Sequence, residues 1–196
     1  CSSDLTYTVD VRTVVRGNTG LVGGQTPHNG EVVVSLRRLD KIRDIDVESN
    51  TMTCEAGVVL QIAQQKAADV DRLFPLSLGA EGSCTIGGNL STNAGGTDAL
   101  AYGVAREMAL GLEVVLADGT AMRTGGMAMK SSAGYDLTGL FVGSEGTLGV
   151  FTELILRLYP LPGRVVAARA VFPDIEAAGR AAVAMIRTGM AVGRVE

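Results

Sequence analysis

The chain has 196 residues, 46% of them hydrophobic, with 26 glycines, no tryptophan and a formal net charge of -4. Such a length makes one large domain or two small lobes; the apolar content supplies a real core and argues against disorder, and the glycines lack the period of a collagen. A net negative chain whose lysines are Lys41, Lys66 and Lys130 excludes a broad electrostatic grip on nucleic acid.

Cys1, Cys54 and Cys84 form an odd set without CxxC spacing, which argues against a disulfide framework or a zinc site. Cys54 reads as a small buried hydrophobe. No run of about 18 apolar residues appears, and no basic-then-apolar leader. A cytoplasmic location is expected, with peripheral association with a membrane left open.

Cys1 to Thr13 is polar and weakly patterned, and Val14-Val15 lead into a glycine-rich loop. Glu31 to Leu36 reads as a strand. Ile42 to Val47 and Met52 to Ala56 read as strands joined by the turn Glu48-Ser-Asn-Thr51, hence a hairpin. Val59, Ile62, Ala63 and Ala67 have helical spacing within Val58 to Ala68. Ile86 to Asn93 reads as a short helix opened by glycines. Met108 to Leu116 and Ala121 to Thr124 read as strands around the tight turn 117–120. Leu148 to Leu158 is a strand with Leu154, Leu156 and Leu158 on one face and Phe151 and Ile155 on the other; Pro160-Leu-Pro162 breaks it. Val165 to Phe172 is expected to be a further strand. Asp174 is the expected cap of a helix running to Arg187, with Ile175, Ala178, Ala182 and Ile186 on one face. No repeat or linker is visible. The irregular alternation implies α+β rather than a doubly wound sheet.

Three glycine-rich segments carry the chemistry. The first is Arg16-Gly-Asn-Thr-Gly-Leu-Val-Gly-Gly-Gln25. It is not a Rossmann fingerprint, because its spacing differs and a strand follows it; nor is it a P-loop, because it lacks Gly-Lys-Ser/Thr. It reads either as an anion nest of consecutive amides or as a glycine-rich surface turn. The second is Leu78-Gly-Ala-Glu-Gly-Ser-Cys-Thr-Ile-Gly-Gly-Asn-Leu-Ser-Thr-Asn-Ala-Gly-Gly96. Its Gly87-Gly88 precede the expected helix, whose N-terminus would face an anion. Ser83, Thr85, Asn89, Thr92 and Asn93 offer neutral donors and acceptors, which suit a heteroaromatic ring and a ribityl chain better than a metal. The third ends in Gly143-Ser-Glu-Gly-Thr-Leu-Gly149.

Together, and in this order, these motifs resemble the PCMH-type (vanillyl-alcohol oxidase type) FAD-binding domain. They are most similar to that of the FAD-linked D-2-hydroxyacid dehydrogenases: the glycolate oxidase flavin subunit, D-lactate dehydrogenase and D-2-hydroxyglutarate dehydrogenase. The resemblance runs from about Val14 to Pro162. It implies a two-lobed α+β fold, divided here into 1–77 and 78–196, with FAD held noncovalently. Arg16, Gly17, Asn18, Thr19, Gly20 and Leu21 would wrap the pyrophosphate, with Gly23 and Gly24 helping the loop turn. Gly82, Ser83, Thr85, Ile86, Gly87 and Gly88 would line the isoalloxazine and ribityl side. Asn89, Thr92, Asn93, Gly95 and Gly96 would continue that wall, and Tyr102 and Gly103 would close it. Glu145, Gly146, Gly149 and Val150 would lie near the adenosine. Amides that hold a pyrophosphate need no lysine, in keeping with the few present.

The resemblance also implies oxidation of a small D-2-hydroxy acid to the 2-oxo acid by hydride transfer to flavin, with electrons passed to a quinone, a cytochrome or a flavoprotein. In that family the base and a metal-binding histidine cluster come from a C-terminal substrate domain, so no catalytic residue and no metal ligand is assigned here. The chain is expected to be truncated at both ends and inactive alone. Its oligomeric state is left open. The alternatives are a non-catalytic flavin-binding or assembly subunit, and another alcohol or lactone oxidase or an alkyl-glycerone-phosphate synthase on the same fold. His28, the one histidine, reads as a turn residue, and Cys84 as a packing residue. Lys130, Tyr135 and Asp136 face either the flavin or a loop turn.

Overall fold

The computed structural model describes residues 14–15, 19, 26, 32–129 and 131–195. In chain order these form β1 (Val14–Val15), β2 (Val33–Val34), β3 (Ile42–Asp46), β4 (Thr51–Glu55), α1 (Leu60–Ala68), β5 (Arg72–Leu73) and α2 (Ile86–Ser91). Then follow α3 (Ala99–Tyr102), α4 (Ala105–Met108), β6 (Ala109–Val115), β7 (Ala121–Gly125), α5 (Leu137–Phe141), β8 (Val150–Arg157), β9 (Tyr159–Pro160) and α6 (Ile175–Arg187). The architecture is α+β. β1 and β2 pair in parallel, apart from a five-stranded antiparallel sheet in the order β3-β4-β8-β6-β7.

The expected 42–56 hairpin is β3-β4. Its turn is held by the Asp46 carboxylate, which accepts from the amides of Glu48 at 2.9 Å and Ser49 at 3.1 Å. The expected return strand is β7, and Asp118 closes its turn by accepting from the Thr120 amide at 2.9 Å. β8 lies at the centre because both of its edges are paired, one to β4 and one to β6. β3 and β4 precede position 77 and β6 to β8 follow it, and one buried cluster joins both sets.

Alternation puts Met52, Cys54, Leu112, Val114, Leu154 and Leu156 on the inner face, all fully or almost fully buried. Leu60, Ala63 and Ala67 of α1 cover it, with Ile86 and Leu90 of α2. The buried stripe of α1 therefore starts at Leu60, whereas Ile62 points outward. Phe151 also departs from the expected face. The register shifts so that Val114 opposes Phe151 while Glu113 opposes Glu153. The extra residue, Thr152, is a β-bulge that swings Phe151 into the core.

On the outer face, register sets Glu55 opposite Glu153 and Glu153 opposite Glu113. Like charges facing each other across strands are destabilising. Two guanidiniums answer them. Arg43 reaches Glu55 at 2.7 Å and Glu153 at 3.1 Å, and Arg123 reaches Glu113 at 2.8 Å and Glu153 at 3.2 Å. Hydrogen bonds from Arg123 and then from Thr152 hold the Glu113 carboxyl below its ordinary value.

The expected strand 165–172 does not form. Val165, Val166 and Val171 are 79%, 71% and 89% exposed, and no described segment lies alongside to take the backbone hydrogen bonds. The expected helix does form. The Asp174 side chain caps α6 by accepting from the Ala177 amide at 2.7 Å, yet no residue of α6 is buried. Its apolar stripe touches none of the core.

Leu154→Ala should lower unfolding free energy by about 2–5 kcal/mol, whereas Ile186→Ala should stay within about 0.5 kcal/mol, as measured by urea unfolding. For Glu113 the folded value lies below the unfolded one, so its contribution is present above the unfolded carboxylate range and disappears as pH falls through the folded value. Arg123→Gln should lower the urea midpoint at pH 7 only slightly, since Arg123 is largely exposed. That difference should vanish in acid.

Candidate cofactor site

The second glycine segment is fixed from its N-terminal side by the link between β4 and α1. Thr85 bridges to Val59 as an isolated β-bridge. The amides of Ile86 and Gly87 donate to the carbonyls of Val58 at 2.9 Å and Ala56 at 2.8 Å. α2 starts at Ile86, so Gly87 and Gly88 lie inside its first turn instead of preceding it. Two of its leading amides are thus spent on main-chain carbonyls. Gly87 is required for packing, because a Cβ there would stand 2.7 Å from both Ala56 Cβ and Ala56 O.

The third motif closes the other end of α2. Leu90 O accepts from the amides of Asn93 at 3.1 Å and Gly143 at 2.9 Å, and Ser91 O accepts from Glu145 N at 2.9 Å. These bonds satisfy carbonyls left over at a helix C-terminus. Asn93 and Glu145 have positive φ, at +50° and +52°, where a side chain is strained and must be held by its surroundings. Gly149 approaches β6 closely, since a Cβ would meet Val114 Cγ1 at 2.6 Å, and Val150 begins β8 opposite Val115.

The remaining residues divide by what they touch. Ser83 Oγ donates to Ala80 O at 3.3 Å and Thr92 Oγ1 to Gly88 O at 3.0 Å. Asn89 is 5% exposed and its Oδ1 has no protein partner; the same holds for the buried Oγ1 of Thr97 and Oγ of Ser144. A Cβ on Gly96 would strike Ser77 O at 2.5 Å, so this glycine lets the loop lie on residue 77. Gly82 and Gly95 meet only Gln61 Oε1 at 3.3 Å and Val104 Cγ1 at 3.6 Å. Gly146 also has positive φ, at +80°. Tyr102 packs edge-on against Tyr159 with ring centroids 5.0 Å apart, and Gly103 turns the chain beside Glu107.

Thr19 is half-buried. Arg16, Gly17, Asn18, Gly20, Leu21, Gly23 and Gly24 lie outside the described residues, as do His28 and Lys130. Tyr135 is 93% exposed. Asp136 caps α5 by accepting from the Gly139 amide at 2.8 Å, which accounts for it structurally. Burial raises the Cys84 thiol and pushes Cys54 up to about 12, so both stay protonated thiols at neutral pH. Among the described residues no group of His, Cys, Asp and Glu is placed to hold a metal ion.

Three residues of this locus escape sequence reasoning. Thr97 and Ser144 are ordinary loop hydroxyls in sequence, and only their burial singles them out. Arg106 carries no motif and is placed by the short helix α4.

A sequence profile of the FAD binding domain matches residues 7–125. The chain belongs to this family. The chain is 46% identical over 149 residues to the mitochondrial D-2-hydroxyglutarate dehydrogenase of Bos taurus, covering 76% of this chain and 27% of that protein. It is 41% identical over 181 residues to a probable mitochondrial D-lactate dehydrogenase of Danio rerio, covering 91% of this chain and 36% of that one. The chain therefore spans about a quarter to a third of the length of these curated relatives. A solved structure of alkyldihydroxyacetonephosphate synthase superposes with a TM-score of 0.72 at 24% identity, over 91% of this chain and 35% of that chain, which shows the shared fold. FAD is the cofactor of the family. The described residues offer it uncharged groups: Asn89 Oδ1, Thr97 Oγ1 and Ser144 Oγ are buried without a protein partner, as are Thr51 Oγ1 and Arg157 Nε elsewhere.

Gly87→Ala should destabilise the apo domain by about 1–3 kcal/mol through the clash with Ala56, measured as a shift in urea midpoint without any flavin present. An unchanged midpoint would show that Gly87 is not a packing requirement.

Proposed function

We propose that this FAD binding domain holds the flavin of a polypeptide that oxidises a D-2-hydroxy acid to the 2-oxo acid. The docking of the third glycine motif on the C-terminal end of α2 carries the cofactor half, because it gathers two distant glycine segments at one locus. The names of the relatives carry the substrate half. FAD, when bound, supplies the acceptor for the hydride that leaves the substrate carbon.

The roles proposed for this chain are to bind and orient. The loop from Arg16 to Gly24 holds the pyrophosphate by main-chain amides. Gly82, Ser83, Thr85, Ile86 and Gly88 flank the ring and ribityl chain. Asn89, Thr92, Asn93, Gly95, Gly96, Thr97 and Ser144 extend that wall with uncharged groups, which leave the flavin potential to other parts of the protein. Glu145 and Gly146 lie at the adenosine end, and the attachment is noncovalent. The proton of the substrate hydroxyl needs a base. The sequence holds one histidine, so a histidine base or metal cluster would come from the part of the polypeptide outside the match. The same observation favours a second reading, a flavin-binding subunit whose catalytic groups belong to a partner. A quinone, cytochrome or flavoprotein would accept the electrons. No described helix is long and apolar enough to cross a membrane, and the mitochondrial names of the relatives suggest that organelle as the place of action.

Purified protein incubated with FAD and desalted should keep absorption bands near ~370 and ~450 nm, and acid precipitation should release the flavin. Dye reduction by D-2-hydroxyglutarate, D-lactate and glycolate should then rank the substrates for the full-length protein. Gly88→Val should lose the flavin while keeping its circular dichroism; full retention of flavin would reject the proposed wall.

A further inference from the structure

The third glycine motif is docked on α2 by main-chain bonds, and one side chain ties both to the rest of the domain. α4 is placed on the segment after α2 by two amides: Ala105 N donates to Ala94 O at 2.9 Å, and Arg106 N donates to Asn93 Oδ1 at 3.0 Å. The Glu107 carboxylate closes α4 by accepting from Val104 N at 2.8 Å. From this platform the Arg106 side chain reaches α5, where Nη1 donates to the Gly139 carbonyl. Its Nη2 lies over the start of the motif: a Cβ on Gly143, whose φ is +84°, would stand 3.0 Å from it. Arg106 thus touches the strained Asn93 through its backbone, and α5 and Gly143 through its side chain. A planar guanidinium with several donors suits such a bridging task.

We propose that Arg106 is a positioning residue for the cofactor site, holding α5 and the 143–146 backbone against the C-terminal end of α2. It acts through Gly139 and Asn93. The loop part of this inference stands on the geometry alone, and the cofactor part rests on the FAD reading above. Arg106 is itself exposed, so its removal opens no cavity in the core. Alanine at that position keeps the main-chain bond to Asn93 and favours the helix. A loss confined to the loop therefore distinguishes positioning from general support.

The experiment is amide-resolved hydrogen exchange on the whole chain for wild type, Arg106→Ala and Arg106→Lys, joined to FAD titration by flavin fluorescence. The Gly143 and Glu145 amides report on the docking because their acceptors, Leu90 O and Ser91 O, belong to α2. Arg106→Ala should exchange at those two amides about tenfold faster, with β4 and β8 unchanged. Its FAD dissociation constant should rise by about tenfold, the scale of a lost hydrogen bond to a charged group. Arg106→Lys, which keeps a charged donor, should recover most of the protection. Unchanged exchange at Gly143 and Glu145 would overturn the proposal, as would an equal acceleration through β4 and β8. Wild-type protein that takes up no FAD would defeat the FAD reading and leave the exchange result to decide the loop. Wild-type and Arg106→Ala chains that bind FAD equally would defeat the cofactor part alone.

Discussion

Everything else in this domain is arranged around the pairing of β8 on both of its edges. β4 lies about a hundred positions before β8, and β6 about forty before it, so neither contact is local and each must repay loop closure. The pairing sets Leu154 and Leu156 against Cys54, Met52 and Leu112, which makes one buried face. It also fixes the end of β4. From there Ala56 and Val58 offer the carbonyls that receive α2. The site is therefore hung from the sheet, and its position follows from sheet register.

α2 has six residues, too few to be stable as an isolated helix. It is held at both ends instead. At its start the Ile86 and Gly87 amides are taken by Val58 and Ala56; at its end the Leu90 and Ser91 carbonyls are taken by Asn93, Gly143 and Glu145. Gly87 allows the closest approach in this arrangement, and the positive φ of Asn93 and Glu145 is its conformational cost. Around it lie buried uncharged atoms without a protein partner, among them Asn89 Oδ1, Thr97 Oγ1 and Ser144 Oγ.

The outer face of the sheet meets a different constraint. Register alone forces Glu55, Glu153 and Glu113 into one row, and Arg43 and Arg123 each span two of the carboxylates. The hydrogen bonds that depress Glu113 show the same arrangement from the proton's side. The apolar stripe of α6 is the opposite case, a well-capped helix whose burial is not supplied by the described core.

The sequence by itself determined the local elements and the family. Turn chemistry at 48–51 and 117–120 specified both hairpins, helical spacing specified α1 and α6, and three glycine motifs identified an FAD binding domain. These are short-range properties, written in propensity and in which residues tolerate a given backbone. Tertiary structure decided the rest. Thr152 had to form a bulge before Phe151 could turn inward, and that bulge exists only because β6 lies alongside. The segment 165–172 has the pattern of a strand but no neighbour to pair with, and a strand is made by its partner. Gly87 makes a close packing contact with Ala56 that only the folded chain reveals, since a glycine in the sequence does not say which body approaches it. Arg106 carries no sequence signal for the same reason: its contacts lie in three segments that only the folded chain brings together.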